Sequence, residues 1–196
     1  PSGFHIDMDK VMVEMARRAP GKSPLSTPRK EGDVPEILSG YFEGKTTGTP
    51  LCAIIRNSNT KSKDYSKLKD VMRPGHADYT GCIRYDGFND YRGGGHFSGR
   101  ITAPLVFAGA ICKQILQSKG VIISAHVNSI GSVNDKSFLE CDITEELIES
   151  FKGKELPLIN SNLEDSMRRG YECKKRYGFY WWNYRMCSFR YKAWSW

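Results

Sequence analysis

The chain of 196 residues carries a net charge of +7, with 39% apolar and 26% charged side chains, the balance of a globular protein of about one domain. No run approaches 18 consecutive apolar residues, and the opening PSGFHIDMDK has neither the basic nor the apolar region of a secretory signal, so neither a membrane partner nor secretion is expected. Six cysteines without a CxxC pair point to free thiols in a reducing cytoplasm rather than to a zinc ribbon or a disulfide framework. No initiator Met opens the chain, and its natural start is expected upstream.

In chain order, Asp9 to Arg18 has the spacing of an amphipathic helix, with Asp7 or Asp9 as N-cap and Val11, Met12, Met15 and Ala16 on one face. Pro20-Gly21 stops it, and Lys22 to Asp33, polar and with two prolines, reads as a loop. Arg17, Arg18, Lys22, Arg29 and Lys30 form a basic cluster of the kind usually found on a solvated face. VPEILSGYFEG and LCAIIR read as two strands joined through TTGTP. Arg56 to Arg100 has little periodicity and many glycines, and a loop that long in a compact domain usually serves function. Thr102 to Ser118 is the clearest helix, Gly120 ends it, and VIISAHV (121–127) reads as a buried strand. Thr144 caps a short helix reaching Phe151.

Two stretches carry groups suited to chemistry. YRGGGHFSGR followed by a helix has the layout of a phosphate site, because glycines admit an anion to the backbone and the helix start supplies unpaired N–H groups. Arg92 and Arg100 add planar donors that match phosphate or carboxylate. A surface turn with solvated arginines accounts for the same residues. In RPGHADY, His76 stands between Arg73 and Asp78, an acid/base with an orienting carboxylate or a satisfied loop histidine. His5 and His126 lack polar neighbours in sequence and read as structural. No metal site is expected, since His-x-Asp offers too few ligands.

The order of motifs is more specific than any one of them. ARRAPGKSPLSTPRKEGD, ILSGYFEGKTTGTP, RNSNTKSKDYS, RPGHADYTG and YRGGGHFSGRITAPLVFAGAI together resemble the chorismate synthase family, strongly over 1–120 and weakly to about Met167. The resemblance implies an α+β fold with helices sandwiched between antiparallel sheets, incomplete here, and a homotetramer in the intact family. It implies the 1,4-elimination of phosphate from 5-enolpyruvylshikimate 3-phosphate to give chorismate, in aromatic amino acid biosynthesis. The reaction requires reduced FMN, with NADPH as a source of flavin reduction. By position, His76 resembles the catalytic histidine near the flavin, Arg73 and Arg100 resemble substrate-holding arginines, and Arg18 one that contacts substrate or NADPH. His96, Phe97 and Ser98 occupy the flavin-binding triplet, more often Arg-Ser-Ser in the family. A second family arginine, six residues beyond Arg18, is Pro24 here. The family's Gly-Glu-Ser-His segment and its C-terminal half have no counterpart, so this chain is expected to be inactive as it stands, with an FMN-binding fragment as the alternative.

The charge has its own pattern. Residues 1–167 balance 21 basic against 21 acidic side chains, whereas 168–196 carry eight basic residues against Glu172, with all four tryptophans. The partition expected is therefore a partial domain over 1–167 and an aberrant, poorly ordered tail over 168–196. One account is a tail that stacks on single-stranded nucleic acid. The preferred account is a frameshift near Met167 or Arg168 and no nucleic acid partner. Trp181-Trp182 must be TGGTGG, which reads Gly-Gly one nucleotide downstream. With permitted codons, residues 178–196 become DSIGGIIECAVLGIKPGLG, which resembles the family's own continuation.

Overall fold

A computed structural model describes residues 1–21, 32–57, 71–73 and 76–177. The fold is α+β: helices accompany three two-stranded antiparallel sheets. Where the sequence suggests one partial domain, the chain divides into two compact units, Pro1–Gln114 and Ile115–Trp196. No helix among the described residues is long and apolar enough to cross a membrane.

The first unit is organised by two helices. Helix α1, Met8–Arg18, starts where Asp7 accepts a hydrogen bond from the Lys10 amide and ends at Ala19, with Gly21 beyond it at φ +86°. Helix α3, Thr102–Gln117, turns Ala103, Phe107, Ala110 and Ile111 inward. Both lie on the expected segments, because apolar spacing and caps are local signals. Gln114 brackets the Asp7 backbone with bonds of 3.0 Å to its N–H and C=O, Lys113 pairs with Glu14 at 2.7 Å, and Arg18 Nε donates to Thr102 at 3.1 Å. The start of α1 thus meets the end of this stretch of α3, and its end meets the start of α3, so the two helices run antiparallel. Ile6, Val11 and Met15 are fully buried.

The two expected strands become four. Strands β1 (Pro35–Ser39) and β4 (Cys52–Ile55) pair antiparallel with a bulge between Ile37 and Ser39. Between them β2 (Tyr41–Phe42) and β3 (Lys45–Thr46) form their own small hairpin. Gly40 makes the break: it sits at φ +78°, and a Cβ there would lie 2.6 Å from Leu51 Cα, so the chain can turn only without a side chain.

Helix α2, Asp78–Arg84, falls inside the segment expected to be irregular. Its sequence, DYTGCIR, lacks apolar periodicity, and it forms around tertiary contacts instead. Residues 22–31, 58–70 and 74–75, which include most of the expected loop after α1, lie outside the described residues.

In the second unit VIISAHV is not a strand. Residues 121–126 find no ladder partner among the described residues, and Val127 N–H bonds only to the Pro157 carbonyl at 2.8 Å. Strands β5 (Ser129–Ile130) and β6 (Val133–Asn134) form a tight hairpin, and Thr144 caps α4, Glu145–Ser150, as expected. Helix α5, Glu164–Tyr177, runs through the break expected at residue 168. Arg168 is anchored there to Glu164 at 2.7 Å and Glu155 at 2.8 Å, and these carboxylates raise its pKa. The remainder of the expected tail, 178–196, lies outside the described residues. Met167, Leu158 and His126 are buried in this core, with the His126 ring packed against Phe138 and Phe151.

Candidate active site

The segment after β4 builds one cluster at the start of α2. Asp78, in the first turn, accepts hydrogen bonds from Arg73 through Nε (2.8 Å), Nη2 (2.8 Å) and the backbone N–H (3.1 Å). Its Oδ1 also lies 2.8 Å from His76 Nδ1. The Asp78 contact suits a proton on Nδ1, and Arg73 Nη2 lies 3.2 Å from Nδ1 and 3.4 Å from Nε2. The Arg73 hydrogen bonds hold the Asp78 carboxyl well below the ordinary carboxylate range, outweighing the opposing effect of burial. His76 is thus an oriented imidazole beside a guanidinium and a carboxylate that is ionised at neutral pH.

A second cluster joins residues far apart in sequence. Arg18 Nη1 pairs with Asp33 Oδ2 at 2.5 Å, its Nε donates to Thr102 Oγ1, and its Nη2 donates to the Gly99 carbonyl at 3.3 Å. Arg100 Nη2 lies 3.6 Å from the other oxygen of Asp33 and donates to the Arg56 carbonyl at 3.3 Å. Ser98 Oγ accepts the Arg100 N–H at 3.2 Å, and Thr102 Oγ1 donates to Gly99 O at 2.6 Å. Arg18, which the sequence groups with a solvated basic face, turns inward. Asp33 was not singled out by sequence at all. Neither hydropathy nor spacing distinguishes it from other aspartates, and only its contacts do.

The glycine loop differs from the expected anion cradle. It winds into two short 3-10 turns, Arg92–Phe97 and Gly99–Ile101. The N–H groups of Arg92, Ser98, Arg100 and Ile101 are spent on Asp90 Oδ1, Gly95 O, Ser98 Oγ and Ser98 O. Arg92 grips Asp90 at 2.8 Å and holds that carboxyl down to about 2. Of the expected triplet, His96 is exposed, Ser98 is the cap just described, and the Phe97 ring lies on α2. A Cβ at Gly81 would come within 2.5 Å of that ring, so Gly81 admits it and ties the loop to the helix bearing Asp78. Among the described residues no group of three or more His, Cys, Asp and Glu could hold a metal ion. Cys52, Cys82, Cys112 and Cys141 are free thiols.

Two arginine–carboxylate clusters lie in one α+β unit, one of them carrying an oriented imidazole, and guanidiniums are chemically suited to anions. The chorismate synthase family model matches residues 1–176. The chorismate synthase of Christiangramia forsetii is 52% identical over 146 residues, covering 74% of this chain and 40% of that protein. That of Francisella tularensis subsp. novicida is 43% identical over 190 residues, covering 86% and 54%. A crystal structure of chorismate synthase superposes with a TM-score of 0.63 at 28% identity, over 91% of this chain and 47% of that one. The chain belongs to the chorismate synthase family. It spans about half the length of the curated relatives it matches.

Proposed function

We propose that the whole protein eliminates phosphate from 5-enolpyruvylshikimate 3-phosphate to give chorismate, with reduced FMN as cofactor. The observation that carries this reading is the Arg73–His76–Asp78 cluster, an acid/base that a carboxylate orients and whose neighbour is a guanidinium. Arg73, Arg18 and Arg100 are suited to the substrate's phosphate and carboxylates, since guanidinium forks match those oxygens and stay charged throughout. His76 holds a proton at the ring, and Asp78 stabilises the imidazolium whenever the second nitrogen is also protonated. Reduced FMN, when bound, supplies the electron density that departure of phosphate requires. His96 and Ser98 fit its phosphate as an imidazole and a hydroxyl, while Phe97 offers a ring and no donor. NADPH as reductant, a homotetramer and a cytoplasmic site belong to the same proposal.

The test is anaerobic turnover in the whole protein with photoreduced FMN, following chorismate absorbance. His76→Ala should lower kcat by roughly 100-fold or more while substrate still binds. Retained turnover in that variant would remove His76 from the reaction.

A second reading concerns the tail. We infer a change of reading frame at about Gly178. The family match to residue 176 supports a position downstream of Arg168, near where the re-read string DSIGG begins. Five of the eight tail cations (Arg168, Arg169, Lys174, Lys175 and Arg176) then belong to ordinary family sequence, which leaves little for a nucleic-acid tail. Sequencing the gene across codons 170–196 tests it. An intact frame together with a tail peptide of the expected mass would refute it.

A further inference from the structure

We propose that Asp33 is a positioning residue that holds Arg18 and Arg100 as one anion-binding pair; this rests on the proposed role of those arginines in substrate binding. The Asp33 side chain is completely shielded from solvent, while Arg18 and Arg100 keep 18% and 25% of theirs exposed. Burying a carboxylate is costly, and a chain that needed only a turn here could use a neutral residue. The backbone at Asp33 is also left-handed, φ +45°, a conformation unfavourable for a residue with a Cβ. Two unfavourable features at one residue call for a compensating role, and the contacts supply it. One oxygen takes Arg18 Nη1 at 2.5 Å; the other accepts no hydrogen bond and faces Arg100 Nη2 at 3.6 Å.

The arrangement leaves one net positive charge on two guanidiniums and one carboxylate. Without Asp33 the arginines would repel each other, and both long side chains would recover rotamer freedom that binding must remove again. With it, Arg18 is held by Asp33, Thr102 and Gly99, and the contacts of Arg100 include Asp33 and the Arg56 carbonyl. Both guanidiniums are then in place before an anion arrives.

This makes a prediction opposite in sign to simple electrostatics. Removing a negative charge from beside an anion site should strengthen binding if charge alone mattered. If Asp33 positions the arginines, Asp33→Asn should weaken binding of 5-enolpyruvylshikimate 3-phosphate at least 10-fold. Titration calorimetry on the full chain compares wild type, Asp33→Asn, Arg18→Ala and the double variant. The double variant should lose less than the two single losses combined, since Asp33 acts through Arg18 as well as Arg100; strictly additive losses would count against the proposal. In parallel, the side-chain Nε–H signals of Arg18 and Arg100 in 15N-arginine-labelled protein should be sharp and dispersed in wild type and collapse to the solvent-exposed position in Asp33→Asn. A purely structural role would leave those signals in place in any variant that stays folded. Should Asp33→Asn unfold, Asp33→Ser is read the same way, and unfolding of both would overturn the proposal by making Asp33 a stability residue. Equal or tighter binding by Asp33→Asn would also overturn it. If wild type fails to bind, or Arg18→Ala binds as well as wild type, the substrate reading fails instead, and the arginine signals alone decide whether Asp33 orders the pair.

Discussion

Each unit of the chain buries one carboxylate completely, and the two are satisfied in contrasting ways. Asp135, in the second unit, accepts backbone N–H groups of Ile159 (2.6 Å), Asn160 (3.0 Å) and Lys136 (2.8 Å), with His126 Nδ1 at 3.8 Å. Asp33, in the first, is paired among the described residues with two arginine side chains that reach the surface. A carboxylate bound to amides fastens one stretch of chain to another, and its partners can do nothing else. A carboxylate bound to guanidiniums orients groups that are themselves suited to anions. The difference separates a staple from a site.

The comparison breaks first at Asp135. Asp135→Ala strands three backbone donors in a core closed by Phe138 and Phe151, and each stranded donor costs about 1–3 kcal/mol. We expect a loss of roughly 2–4 kcal/mol in urea unfolding, with faster hydrogen exchange at the Ile159 and Asn160 amides and no change in anion affinity. A loss under 1 kcal/mol would mean that water or rearrangement replaces the carboxylate, and Asp135 would no longer be a staple.

Asp33→Asn should show the reverse pattern. Breaking a buried pair is expensive when the surviving charge stays buried. Here Arg18 and Arg100 can turn towards water, so the stability loss should be only about 1 kcal/mol by the same unfolding measurement while affinity falls. A stability loss as large as that of Asp135→Ala would erase the distinction between the two sites.

The sequence made one of these clusters legible and hid the other. His76 and Asp78 are two residues apart, so their pairing is a local matter that reading RPGHADY brings out. Arg18 and Asp33 are 15 residues apart and Arg18 and Thr102 are 84 apart, and no periodicity connects them. Their roles came from resemblance, which named the arginines without the carboxylate between them. The same division holds for the fold. Helices α1 and α4 carry their caps in sequence and α1 and α3 their apolar faces, whereas α2 depends on Gly81 admitting Phe97. The polar α5 depends on Arg168 finding Glu155 and Glu164. VIISAHV has strand composition, but a strand also needs a neighbour, and composition cannot supply one.

The smallest effect is expected at Asp78, which stands between the two extremes: nearly buried, bound to a guanidinium, yet held partly by a backbone N–H. Arg73 is about a third exposed, with 35% of its side chain open to solvent, so solvent screening limits the pair to about 1 kcal/mol or less. Because the folded carboxyl is depressed below its ordinary 3.8, its contribution is fully present above about pH 4 and is lost as pH falls through the depressed value. Unfolding midpoints of wild type and Asp78→Asn should therefore differ by a constant amount from pH 7 to about pH 4 and converge below it. A difference that persists unchanged at pH 2.5 would show that the Asp78 charge contributes nothing. The cluster would then owe its geometry to the backbone turn rather than to the ion pair.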